Sequence, residues 1–172
     1  MSHFLTLVLI DASESKPAGK AKQLMWPYFA DDLGERTPQS KFDGFTIGGR
    51  YDGAIWGKEQ HYSLTPEEYQ QRYGLDVVRP EDNIRPVSEL VPDCLPNAII
   101  TPDGCWHDDT PIRQCMPAER EPTWLVKIGN RVQIEQSQAQ RTEEIWSEWI
   151  KQCRSLLRTY EGCIAVAFDC HC

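Results

Sequence analysis

Three short stretches of this 172-residue chain carry side chains able to do chemistry. The first is FDGFTIGGRYDG, from Phe42 to Gly53. Gly48 and Gly49 permit a tight turn with exposed amides, and Arg50 adds a planar fork of donors; together they suit a phosphate or carboxylate. Tyr51 and Asp52 follow directly, and Asp43 and Asp52 flank the arginine on the same segment. The plainer reading is a glycine bulge with a surface Arg–Asp pair. No Walker-type lysine and serine follow, and the dinucleotide fingerprint is absent, which excludes a standard phosphate loop.

The second stretch is TPDGCWHDD, from Thr101 to Asp109. A Pro-Asp-Gly turn would present Trp106 and His107 on a returning strand, His107 for proton transfer and Trp106 for stacking a base or sugar. Otherwise the tryptophan simply covers the edge of the core. The third is FDCHC at the end of the chain, which sets Asp169, Cys170, His171 and Cys172 at the end of a strand. Cys105, His107 and the terminal residues form one conceivable zinc set. No C-x-x-C knuckle occurs, however, and adjacent strand residues point to opposite faces, so a structural zinc is disfavoured. His107, His171 and a carboxylate facing one another would serve acid–base work or hold a divalent metal. On this reading Arg50, His107 and His171 converge on one site.

These side chains need a scaffold. Residues 3–11 (HFLTLVLID) are rich in strand formers and predict a buried first strand, and CIAVAFDCHC predicts a last strand near the middle of the sheet. AKQLMWPYFADDL has helical character, with Pro27 starting, kinking or ending the helix. Residues 42–57 predict two strand pieces meeting at Gly48-Gly49. In SLTPEEYQQRYG, Thr65 and Glu68 make a capping box, Leu64 and Tyr69 a hydrophobic staple, and Gly74 a stop. Eight of the twelve prolines lie between Arg79 and Thr123, which excludes long helices from an irregular middle segment. Within it, NAIITPDGCWH predicts a short strand, a turn and a return. TWLVKIGNRVQIE predicts a hairpin turning at Gly129-Asn130. From about Gln138 to Tyr160, Ile145, Trp146, Trp149, Ile150, Cys153, Leu156 and Leu157 fall at helical steps. The expected fold is one α+β domain over residues 1–172. It is a largely antiparallel sheet with helices packed on one face, a ferredoxin-like type of sandwich.

Composition bounds the function. With 18 Lys and Arg against 26 Asp and Glu, the net charge is −8, which argues against nonspecific duplex DNA binding. No apolar run reaches membrane-spanning length, and the first strand lacks the basic flank and cleavage site of a signal peptide. Seven cysteines, an odd number, and no export signal predict reduced, unpaired thiols in a cytoplasmic protein.

The combination of IGGRY, NAIITPDGCWH, a helix with paired tryptophans and a closing AVAFDCH resembles small uncharacterised proteins of bacteriophages and prophages. Those carry a GGRW motif, a TPDG-x-WH motif and a terminal DCH; Tyr51 stands at their tryptophan, and Cys105 at their variable position. The resemblance implies a small intracellular accessory protein of a phage or mobile element, with antagonism of host defence as its role by analogy. Joined to the residues, it predicts an anionic, nucleotide-like ligand held by Gly48, Gly49, Arg50, Tyr51, Asp52, Trp106 and Asp169. Two alternatives stand beside this. One is a phosphodiesterase-type hydrolase using His107 and His171. The other is an acidic inhibitor that docks on a nucleic-acid-binding host enzyme, for which six tryptophans and the net charge are suited.

Overall fold

The computed structural model describes residues 3–30, 37–58, 68, 71, 80–108 and 128–171, with the backbone alone for 128–143. Six strands form one sheet: β1 (His3–Ile10), β2 (Gly44–Ile47), β3 (Ile84–Pro86), β4 (Ala98–Ile100), β5 (Trp106–Asp108) and β6 (Ile164–His171). The order is β2-β6-β1-β4-β5, and β3 pairs with β6 further along the edge that β2 occupies. Among the described strands, only β1 and β4 run parallel; the other strand pairings are antiparallel. The fold is α+β, as the sequence predicts. The first and last strands pair along their whole length, from His3 opposite His171 to Ile10 opposite Ile164.

Both faces of this central pair are apolar, so both need cover. Leu5, Leu7 and Leu9 of β1 join Ala165 and Ala167 of β6 in one core. Over it lies the long helix α2 (Ile128–Thr159), which contributes Trp149 and Cys153. Phe4, Val8 and Ile10 join Val166, Phe168 and Cys170 on the opposite face, under Ala21 and Met25 of α1 (Pro17–Met25). The two described helices therefore pack on opposite faces, where the sequence reading put helices on one. The reason is in β1 itself. Its residues are buried at both parities, the mark of a strand covered on two sides.

Proline 17 opens α1 at its first turn, and the helix passes at Trp26 into a single 3-10 turn containing Pro27. The Pro-Asp-Gly turn forms as expected between β4 and β5, with Thr101 N–H donating to Cys105 O and Gly104 N–H to Thr101 O. Two local expectations fail. After β2 the chain makes 3-10 turns at Gly49–Tyr51 and Ala54–Trp56 instead of a second strand piece. The proposed turn at Gly129-Asn130 is the first turn of α2, which starts at Ile128 and not near Gln138. Ile128 and Val132 satisfy a helical step as well as an alternation, and the Arg-, Gln- and Glu-rich stretch that follows favours helix. Of the helix expected after Thr65, only Glu68 and Gln71 are described, and both are helical. The expectations for Leu64, Thr65, Tyr69, Gly74, Trp124 and Val126 lie outside the described residues.

Cys94, Cys153 and Cys170 are buried as small apolar side chains. Cys94, Cys105, Cys153, Cys163 and Cys170 are all unbridged. Burial pushes the thiols of Cys94 and Cys153 up to about 11 from an ordinary 9.0. Raised folded-state values fix the sign of the pH effect. The contribution of these neutral thiols is complete below pH 9.0 and is lost as pH rises toward about 11. Denaturation midpoints measured across that window should fall, and less so in Cys94→Ala. In the folded protein at neutral pH, a thiol reagent should label the exposed Cys105 but reach Cys94, Cys153 and Cys170 only on unfolding. Labelling of Cys153 in the native state would contradict the packing of α2.

Candidate functional site

Pairing of β1 with β6 determines what meets at one end of the sheet. His3 and His171 are opposite one another, and Asp169 is opposite Leu5 on the same face. The two imidazole rings have centroids 5.5 Å apart. Each ring is tied through Nδ1 to a carboxylate: His3 to Asp169 Oδ1 at 2.8 Å, and His171 to Asp43 Oδ1 at 3.0 Å. With the Nδ1 proton given to a carboxylate, Nε2 of each ring holds the free lone pair. Each ring can therefore accept a proton at Nε2, and a ring that has done so becomes the donor to its neighbour's ligand.

Strand β2 and its turn close the site on the other side. Gly44 pairs with His171 and Thr46 with Asp169. The His171 ring lies so close over Gly44 that a Cβ there would stand 1.9 Å from its Cε1. Gly48 and Gly49 then turn the chain with φ of +74° and +54°, which side-chain-bearing residues adopt rarely. A Cβ on Gly49 would also meet the Asp169 carboxylate at 2.5 Å. Through that approach the Arg50 N–H donates to Asp169 Oδ2 at 3.0 Å. Asp169 is 3 % exposed and uses one oxygen for His3 and the other for the Gly-Gly-Arg turn. The side chain of Arg50 is exposed, and among the described residues it has no ion-pair partner.

Several predicted members stand elsewhere. His107 pairs with Ile99 on the other side of β1, three strands from β6 and level with Leu7. That places it roughly 20 Å from His171 by strand spacing and rise. Its Nε2 approaches Thr101 Oγ1 at 3.4 Å. The single site of Arg50, His107 and His171 thus splits: the Arg50 backbone and His171 lie at the Asp169 end of the sheet, and His107 does not join them. Trp106 is half-buried, packed on Tyr28 and Phe42 at centroid distances of 5.0 and 6.0 Å, with its Nε1–H on Asp108. It faces the α1 core and cannot stack a ligand at the histidine pair. Asp52 is also internal, 1 % exposed, and accepts from Asn83 Nδ2 at 2.7 Å while Asn83 Oδ1 takes the Gly53 N–H. Its role is to fix the turn. The amides of Gly48 and Arg50 are committed to Ala167 O and Asp169, so the turn offers a ligand the Arg50 side chain and not those two N–H groups.

His3 is the member that reading the sequence missed, and Asp43 was noticed only as a neighbour of Arg50. The signal for His3 was its place at the start of a strand as long as the one ending at His171. No group of three or more metal-binding side chains occurs among the described residues, and Asp109 and Cys172 lie outside them. No helix among the described residues is long and apolar enough to cross a membrane. No family model, curated protein or solved structure matches this chain.

Proposed function

We propose that the chain binds a small anionic, nucleotide-like ligand at the end of the sheet where Arg50 meets the His3–Asp169 and His171–Asp43 pairs. The observation that carries this reading is the meeting of two imidazoles, each held by a carboxylate, beside a turn whose backbone is tied to Asp169 and whose Arg50 side chain is exposed. Charged groups collected at one point favour a ligand over the broad contact of an acidic inhibitor. Fixed Nδ1 partners on both rings favour a second reading, turnover of a phosphodiester with one imidazole as base and the other as acid, His3 taking the place first given to His107. The resemblance to phage and prophage proteins supports an accessory role in a mobile element, with antagonism of a host signalling nucleotide as the form it would take.

Native mass spectrometry of the full chain incubated with AMP tests the assignment. One adduct per chain is expected, reduced about tenfold in Arg50→Ala and in His171→Asn and retained in His107→Asn. An adduct that survives Arg50→Ala, or that is lost equally in His107→Asn, would refute it.

A further inference from the structure

The face of the sheet that carries the histidine pair also carries an open cleft of about 320 Å³, lined in part by Leu5, Tyr51, Ala54, Lys58, Leu95 and Asn97. That volume is at the lower end of the range for small-molecule sites. Two residues join the cleft to the pair. Leu5 follows His3 on the same face of β1, about 7 Å along the strand. The Tyr51 hydroxyl donates to the His3 carbonyl at 3.2 Å, which holds the phenol ring at the boundary between the two.

The chemistry of the walls is unlike that of the pair. Leu5, Ala54 and Leu95 are aliphatic, Tyr51 adds one aromatic ring, and Asp93 places a carboxylate in the lining. The cation within reach, Lys58, is already held by Asp82 at 3.1 Å, so the cleft is no second anion site. Asn97 supplies a directional polar group. Its Oδ1 accepts the Leu5 N–H at 3.1 Å, which turns the side-chain amide N–H groups to other partners. Aliphatic walls with an aromatic ring, a carboxylate and a fixed amide suit a neutral, planar heterocycle bearing both hydrogen-bond donors and acceptors. The step of about 7 Å along β1 from His3 to Leu5 is one that a ribose can span between a phosphate and a base.

We infer that this cleft takes the base of a nucleotide whose phosphate lies against Arg50 and the two imidazoles. The inference rests on the anion-binding reading of the histidine pair and adds the ligand's second anchor. Tyr51 forms the wall and Asn97 reads the edge of the base; Trp106, which the sequence offered for stacking, has no part in it.

Calorimetry of the full chain with inorganic phosphate, ribose 5-phosphate, AMP and CMP separates the two claims. The expected result is that the better of AMP and CMP binds at least about tenfold tighter than ribose 5-phosphate. Asn97→Asp, which keeps the acceptor for Leu5 N–H and removes the amide donors, should erase that advantage and leave ribose 5-phosphate affinity within about twofold. Equal affinity of ribose 5-phosphate and both nucleotides would overturn the cleft assignment while leaving the anion site intact. Failure of all four to bind would overturn both.

Discussion

Trp149→Ala should lower the unfolding free energy by about 3–5 kcal/mol, the usual cost of emptying a large aromatic site in a core. Trp149 is 3 % exposed in the cluster under α2, and its Nε1–H donates to Pro96 O at 2.8 Å. Truncation leaves a cavity against Leu5 and Leu7 and strips a buried carbonyl of its donor. Trp146, three residues earlier on the same helix, is 36 % exposed, so Trp146→Ala should cost under about 1 kcal/mol. Denaturant midpoints of the two variants check the contrast. Equal midpoints would mean that α2 does not bury the face described here.

Asp169 is the second position of large effect. Removing its carboxylate in Asp169→Ala withdraws the acceptor for both Arg50 N–H and His3 Nδ1, for a loss on the order of 3 kcal/mol. Asp169→Asn should cost much less, because the amide oxygen still accepts from Arg50. The amide nitrogen, however, then faces His3 Nδ1 and makes that atom the acceptor, moving the ring proton to Nε2. Nitrogen-15 spectra of the His3 ring would report the exchange of tautomers directly. An unchanged His3 spectrum in Asp169→Asn would contradict the contact between this carboxylate and the ring.

The frame of the fold was legible because its signals are local and periodic. β1, β6, the Pro-Asp-Gly hairpin, the break at Pro27 and the apolar stripe of α2 all follow from spacing or from backbone chemistry within a few residues. Other features were hidden for physical reasons. The second covered face was written into β1, where Leu5, Leu7 and Leu9 alternate with Phe4, Val8 and Ile10, but a continuous apolar run does not say which helix covers which side. The site had the same difficulty. Arg50, Asp169 and His171 were visible as chemistry, and only the sheet order says that β2, β6 and β1 are neighbours while β5 lies beyond β4. His107 was therefore included and His3 left out, since strand order is set by pairing between distant segments and not by any local pattern. Asp52 illustrates a further limit: a carboxylate beside an arginine reads as a surface pair until burial against Asn83 is known.

One anion site formed by His3, His171 and Arg50 requires that a single ligand perturb both rings together. Imidazole resonances followed during titration with AMP test it most directly. The His3 and His171 rings should shift together with a single midpoint, while the His107 ring stays within experimental scatter. Movement of His107 in place of His3, or midpoints that differ between His3 and His171, would contradict it.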